Sequence, residues 1–342
     1  MGSSALKNFR IMKLLLDDYY RKINYLRLSV TDRCNLRCRY CMPEEGVESI
    51  KHRDLLTYEE IRKVIEVFAR NGISKIRLTG GEPLVRKGVV DLIKGIARIE
   101  GVTDLSLTTN GVLLKEYAGA LAEAGLRRIN VSLDTLQPDR FAYITRRDRF
   151  KEVWAGIEEA LRHRLSPVKV NVVVMKGFND DEIRDFARLS LTYPLHIRFI
   201  EFMPLGKGSD WDGKEIIPPS QIMEEIREIG ELIPIGPQAN DGPAKRYYIK
   251  GSKGEIGFIS PISSHFCEQC NRLRLTPDGK IRTCLFSDAE IDLKGVLRTS
   301  GDGDDEKVEE VLYRALQAKP EGHRIGDRRF KKCQRGMHAI GG

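Results

Sequence analysis

The sequence predicts an α/β protein: a partial (β/α)6 TIM-like barrel followed by a C-terminal irregular α+β region. Three observations predict it. Through the first two-thirds of the 342 residues, short strands alternate with amphipathic helices in six successive units. Inside those strands, apolar residues alternate with polar and basic ones. After residue 204 the succession stops at a Gly/Pro-rich stretch, "PLGKGSDWDGKEIIPPS". Successive β-α units imply a parallel sheet, flat or curled. A doubly wound sheet needs both faces apolar, and a filled barrel wants an aliphatic interior. A polar inner face therefore predicts a curled sheet with an open lumen. The expected division is 17–204 for the barrel and 205–342 for the smaller region.

The strands read "YLRLSVT" (25–31), "KIRLTGG" (75–81), "DLSLTTN" (104–110), "RRINVSLD" (127–134), "VKVNVVVM" (168–175) and "HIRFIEFM" (196–203). Successive strand side chains point to opposite faces. Leu26, Leu28 and Val30 lie on the face shared by Ile76, Leu78, Leu107, Val131, Val170 and Ile197, which belongs under the helices. The opposite face carries Arg27, Lys75, Arg77, Lys169 and Arg198 among Ser, Thr and Asn residues. Five basic side chains converging on one lumen predict a polyanionic ligand.

Between the strands, "TYEEIRKVIEVFARNG" opens on a capping box of Thr57 with Glu60 and closes on Gly72. Ile61, Val64, Ile65 and Phe68 share one face of that helix. "NDDEIRDFARLS" is expected to start the same way, on Asn179 and Glu182. Beyond residue 204 come a helix near 219–229 and the strands "KRYYIKG" and "EIGFIS". A helical region from about 291 to 318 follows, interrupted by a solvated acidic turn, "SGDGDD". This region is expected to close one end of the barrel.

Hydrophobic residues at 41% and charged residues at 31% exclude a disordered chain. No apolar run reaches membrane-spanning length and "MGSSAL" carries no signal-peptide core, so the expected location is cytoplasmic, without a membrane partner. The net charge of +8 favours an anionic partner. Seven cysteines in such a chain read as metal ligands rather than a disulfide framework.

Cys34, Cys38 and Cys41 have the spacing C-x3-C-x2-C just beyond the first strand, the end of a β/α barrel where active sites form. Three thiolates can hold three irons of a [4Fe–4S] cluster and leave one open, or hold zinc with a distant fourth ligand. Cys267, Cys270 and Cys284 (C-x2-C-x13-C) allow the same two readings. Arg272 and Arg274 follow on one face of an extended segment, beside that second site.

The first spacing, with Tyr40 before the third cysteine, resembles the signature of the radical S-adenosylmethionine superfamily, as does "GGEP" at the end of the second strand. Within it, "YLRLSVTDRCNLRCRYCMP", "KIRLTGGEPL", "IRFIEFMP", "FCEQCNRLRLTPDGKIRTCLF" and the terminal "GG" together resemble the GTP 3′,8-cyclase family of molybdenum-cofactor biosynthesis. The likeness runs from about residue 17 to the end. It implies two [4Fe–4S] clusters, on Cys34, Cys38 and Cys41 and on Cys267, Cys270 and Cys284, so that the C-terminal region carries a second iron–sulfur cluster. It implies S-adenosyl-L-methionine contacts at Tyr40, Gly81, Thr108, Ser132 and Met203. It implies GTP contacts at Arg27, Lys75, Arg77, Lys169, Arg198, Arg272 and Arg274, the guanine meeting the second cluster. No protein acid or base is implied; the 5′-deoxyadenosyl radical takes the ribose 3′ hydrogen, and carbon 3′ closes on guanine carbon 8. The resemblance further implies a Gly341–Gly342 tail entering the active site, a homodimer, an external electron donor, and hand-over of product to cyclic pyranopterin monophosphate synthase.

Arg146 stands where the family resemblance places a glycine, and Cys333 is expected to be a spectator thiol. Two rival readings fit less well. A peptide-modifying radical enzyme carries more than three later cysteines and has no need of a lumen of triphosphate-reading arginines. A zinc-containing RNA-binding module predicts surface basic patches with interleaved aromatics, whereas aromatics are 7% and the basic residues lie inside strands. No nucleic-acid partner is expected.

Overall fold

The computed structural model describes residues 14–203, 216–237, 242–299, 304–325, 327, 330 and 333–341. The six expected strands form as β1 (Tyr25–Ser29), β2 (Lys75–Thr79), β3 (Asp104–Thr109), β4 (Arg128–Ser132), β5 (Val168–Val174) and β6 (Leu195–Glu201). Six further strands follow: β7 (Leu232–Ile235), β8 (Lys245–Ile249), β9 (Glu255–Ile259), β10 (Arg272–Leu275), β11 (Lys280–Arg282) and β12 (Glu290–Asp292). The helices between the first six strands are α1 (Tyr58–Arg70), α2 (Val89–Ile96), α3 (Leu114–Glu123), α4 (Pro138–Thr145), α5 (Phe150–Arg162) and α6 (Ile183–Thr192). After them come α7 (Pro219–Arg227), α8 (Lys294–Thr299), α9 (Asp305–Gln317) and α10 (Met337–Ile340).

All twelve strands form one sheet, in the order β12-β11-β10-β1-β2-β3-β4-β5-β6-β9-β8-β7. The C-terminal strands therefore do not close one end of the barrel. β10 pairs in parallel with β1 and β9 in parallel with β6, so the region extends both edges. The physical reason is the edge itself, since a six-stranded open sheet leaves two rows of unpaired backbone groups. β10 also continues the alternation: Leu273 sits beside Leu26 and Arg274 beside Arg27. The next step of that register puts Arg77 on the other side of Arg27.

The apolar strand face is buried as expected. Leu26, Leu28, Ile76, Leu78, Leu107, Val131, Val170 and Ile197 join Ile61, Val64, Ile65 and Phe68 of α1 in one core. α1 begins on the predicted box, Thr57 Oγ1 accepting from Glu60 N at 3.2 Å and Glu60 Oε2 from Thr57 N at 2.7 Å. Asn179 and Glu182 do not repeat it. They turn inward, because buried backbone donors and acceptors outcompete a solvated cap. The Asn179 side chain accepts from Met175 N at 2.8 Å and donates to Asp134 O at 2.6 Å and Val173 O at 2.9 Å. Glu182 accepts from Thr135 Oγ1 and Leu136 N, each at 2.6 Å. The acidic stretch, of which 300–303 lie outside the described residues, is not wholly solvated either: Asp305 pairs with Lys63 and Arg70 of α1.

Replacing Asn179 by Ala removes three hydrogen bonds from a site that is 1% exposed. We expect a loss of about 3 kcal/mol from the unsatisfied partners, against about 1 kcal/mol for Thr57→Ala at an ordinary cap. Thermal melts of the two variants check this ranking; equal melting temperatures would contradict the inward role of Asn179.

Candidate active site

The first cysteine loop leaves the carboxyl end of β1 and is stitched at once to the end of β2. Gly81 N donates to Thr31 O at 2.6 Å, and Glu82 N to Arg33 O at 2.7 Å. The approach is so close that a Cβ on Gly81 would collide with the carbonyls of Asp32 and Arg33. Glycine is required there for space. On its far side the loop meets α4: Arg37 N donates to Thr145 O at 3.0 Å, and Arg39 N to Ile144 O at 2.9 Å.

Arg146 answers the question raised by its missing glycine. It adopts the left-handed conformation, φ 56° and ψ 25°, that a glycine takes freely. Its guanidinium offsets the strain by donating to Arg37 O at 2.9 Å and Met42 O at 3.1 Å, on either side of Cys38 and Cys41.

Cys34, Cys38 and Cys41 line a cavity of about 340 Å³, and Cys267, Cys270 and Cys284 line the same cavity. Burial pushes the Cys41 thiol up to about 12, with the neighbouring Cys34 adding to it. Burial likewise holds Cys38 well above the ordinary thiol range, reinforced by Cys41 and Cys34. Three crowded thiolates are unstable without a cation to share, which is the donor set an iron–sulfur cluster supplies for. Among the described residues, no three His, Cys, Asp or Glu side chains gather on one ion position.

The sheet register sets the two triplets apart. Cys34 follows the carboxyl end of β1, whereas Cys270 precedes the amino end of the parallel neighbour β10. Cys284 follows β11, which runs antiparallel to β10 and so ends at that same amino end. Five residues of β1 at about 3.3 Å rise separate the ends by roughly 16 Å.

Between them lies the basic face. Arg27, Lys75, Arg77, Lys169, Arg198, Arg272 and Arg274 all line the cavity, together with Gly81, Thr108, Ser132, Met203 and Tyr40. Burial, then Arg198, Arg128, Arg77 and Lys75, push Lys169 down to about 6. Burial and the neighbouring Arg77 and Arg128 bring Arg198 down to about 9. Tyr25 OH, Thr108 Oγ1, Asn171 Oδ1 and Arg128 Nε are buried without a hydrogen-bond partner among the described residues. All four residues line the cavity. Orphaned polar atoms within a cluster of basic side chains fit a polar anionic ligand.

At the tail, Gly341 O accepts from Arg274, and a Cβ placed on Gly341 would meet Ser29 and Thr79. Gly342 lies outside the described residues. Cys333 is buried outside both triplets, its thiol 3.5 Å from Leu285 O and 3.8 Å from Arg282 Nη2.

Several lining residues were not anticipated. Arg128 and Tyr25 sit one alternation step before Asn130 and Arg27, so the same parity rule, carried one step further, reaches them. Asp134 accepts from Tyr40 OH at 2.7 Å, and Asn110 Nδ2 lies 3.7 Å from Cys34 Sγ. Nothing in the sequence marks the ion pairing of Asp104 with Lys75 (3.5 Å) and with Arg128.

The "Radical SAM superfamily" profile matches residues 28–190, and the "Molybdenum Cofactor Synthesis C" profile residues 195–325. Streptococcus suis SuiB bound to S-adenosylmethionine shares the fold, with a TM-score of 0.56 over 86% of this chain and 68% of that chain at 13% identity. Fold and profile together define a radical S-adenosylmethionine enzyme. The GTP 3′,8-cyclase of Moorella thermoacetica is 51% identical over 326 residues, covering 95% of this chain and 99% of that protein. Those of Alkaliphilus metalliredigens and Thermodesulfovibrio yellowstonii are 49% and 50% identical with the same coverage. The chain belongs to the GTP 3′,8-cyclase family. Among the described residues, no helix is long and apolar enough to cross a membrane.

Arg146→Gly relieves about 1 kcal/mol of backbone strain but removes two charge-assisted hydrogen bonds of about 1.5–3 kcal/mol each. The cysteine loop should loosen, and the first cluster should bleach several-fold faster in chelator. Retention equal to the parent chain would show that the guanidinium is not what holds the loop.

Proposed function

We propose that this chain converts GTP to (8S)-3′,8-cyclo-7,8-dihydroguanosine 5′-triphosphate, the first step of molybdenum-cofactor biosynthesis. The observation that carries the reading is one cavity lined at its two ends by cysteine triplets and between them by a cationic strand face. Cys34, Cys38 and Cys41 hold a [4Fe–4S] cluster, and Cys267, Cys270 and Cys284 a second. The first cluster with S-adenosylmethionine supplies, by one-electron cleavage, the 5′-deoxyadenosyl radical that takes the ribose 3′ hydrogen.

The protein's own part is binding, orientation and exclusion of water. Tyr40, Gly81, Thr108, Ser132 and Met203 border the S-adenosylmethionine subsite; Thr108 Oγ1 is free to meet a polar group there. Arg27, Lys75, Arg77, Lys169 and Arg198 take the triphosphate, with Arg272 and Arg274 between it and the second cluster. Arginine forks suit bidentate phosphate contacts. Gly341, bound to Arg274, places the tail at the edge of the substrate space. Residues 17–204 supply the radical half and 205–342 the guanine-binding half. A homodimer, an external electron donor and transfer of product to cyclic pyranopterin monophosphate synthase complete the proposal.

The test is anaerobic turnover of the reconstituted protein with S-adenosylmethionine, dithionite and GTP. 5′-Deoxyadenosine and the cyclised nucleotide should appear in matched amounts by mass spectrometry. 5′-Deoxyadenosine with untouched GTP would remove the substrate assignment; neither product from a doubly loaded protein would remove the reading altogether.

Proton linkage gives an independent check. With Lys169 at about 6 in the free cavity, the amine is mostly neutral at pH 7, and a bound triphosphate recharges it. GTP binding should take up on the order of one proton at pH 7–8, declining below pH 6, where the amine is already charged. Calorimetry in two buffers of different ionisation enthalpy reads the uptake, and Lys169→Met should abolish it.

A further inference from the structure

We propose that Lys319 is a positioning residue for the second cluster: it fixes the cluster's thiolates to the substrate-facing strand ends and supplies the buried positive charge that sets the cluster's potential. This rests on the two-cluster reading above. Lys319 lies in the linker after α9 and is 3% exposed. Its ammonium donates to Arg272 O and Thr283 O, both at 2.8 Å, and lies 3.5 Å from Cys270 Sγ. The three acceptors are the sulfur of a ligand cysteine, the carbonyl of the first residue of β10 and that of the residue before Cys284. An ammonium has three donors, and here each has a partner.

A buried ammonium is unfavourable unless an anion compensates it. Here the nearest such group is the Cys270 sulfur, 3.5 Å away. The linker itself is held from the other side. Arg21 donates to Glu321 O at 2.7 Å, Pro320 O at 2.7 Å and Cys267 O at 2.9 Å. Lys319 is thus locked against the second triplet, and its contact with Arg272 O ties that triplet to a substrate-facing strand. Charge and hydrogen bonds at the sulfurs are what tune an iron–sulfur potential. A cation at Cys270 stabilises the reduced, more negative cluster.

The test uses the full-length chain with Cys34, Cys38 and Cys41 replaced by Ser, so that the second cluster alone is reconstituted. Iron content and the midpoint potential are read by electron paramagnetic resonance during titration with dithionite. In this background Lys319→Met should shift the one-electron equilibrium at least tenfold toward the oxidised cluster, about 59 mV lower. Lys319→Arg, which keeps the charge, should stay within threefold of the parent. A methionine variant that loads fully and titrates with the parent would overturn the proposal. If the methionine variant does not fold, the arginine variant decides: a potential within threefold supports the role, and a tenfold change refutes it. A parent that binds no iron removes the two-cluster reading itself, and this inference with it.

Discussion

The constraint on which the rest depends is the repulsion stored in the lumen. Arg27 and Arg274 are neighbours in the sheet register, and Arg77 flanks Arg27 on the other side. Lys75, Lys169, Arg128, Arg198 and Arg272 face the same space. At these separations in a partly dry cavity, like charges oppose folding. The depressed ionisation of Lys169, Arg198 and Arg274, each led by burial and reinforced by neighbouring cations, registers that opposition. Asp104 at the start of β3 partners Lys75 and Arg128. Glu255 at the start of β9 takes His196 at 3.1 Å and Arg246 at 2.8 Å. Both carboxylates sit at amino ends of strands, so the charge nearer the middle of the lumen is left for a ligand. The hydrophobic face beneath must hold this arrangement rigid, which is why the strands are aliphatic on that side almost without interruption.

Rigidity at the loops comes from one device used twice. Glu82 accepts from Thr109 Oγ1 at 2.7 Å and Asn110 N at 2.6 Å, clamping the end of β3. Glu182 accepts from Thr135 Oγ1 and Leu136 N at 2.6 Å, clamping the segment after β4. In both places the same threonine hydroxyl also accepts from the backbone two residues on, Gly111 N and Gln137 N, each at 3.1 Å. Burial raises Glu82 to about 7, against the three donors that favour its charge. A buried carboxylate with this many donors is a strut, since leaving any donor unpaired is costly. The struts meet the cavity from behind: Asn110 reaches Asn35 at 2.7 Å, next to Cys34.

Most of the fold was legible because strand alternation is a local signal that parallel pairing preserves. The five basic lumen residues follow from parity alone, and the structure lines one cavity with all of them. What parity cannot report is which strands share an edge. β10 and β9 read as pieces of a separate cap, because their pairing with β1 (Tyr25 with Arg272) and β6 (His196 with Glu255) is far from local in the sequence. Local rules also misread Asn179, whose cap-like position hides a tertiary role decided by Asp134 and Val173. Lys319 left no trace at all. A lysine in a Pro/Gly-bearing linker has the composition of a solvated residue, and only the fold turns it inward.

The edge pairing that the sequence hid is also what makes the chemistry geometrically possible. Barrel enzymes ordinarily gather their reactive groups at the carboxyl ends of the strands. Here β10, laid parallel to β1, brings Cys270 to the amino end, while Cys34 stays at the carboxyl end. The two triplets therefore border opposite ends of the cavity along the strand direction, with the basic face between them. Across that direction the register sets Arg274, Arg27, Arg77, Ser106 and Arg128 side by side on five strands. Strands about 4.8 Å apart give that row a spacing that successive phosphates can follow. A small ligand held at one end would not reach most of these guanidinium groups. A polyanion that spreads across the strands, between the two triplets, is the kind of ligand that meets these groups together.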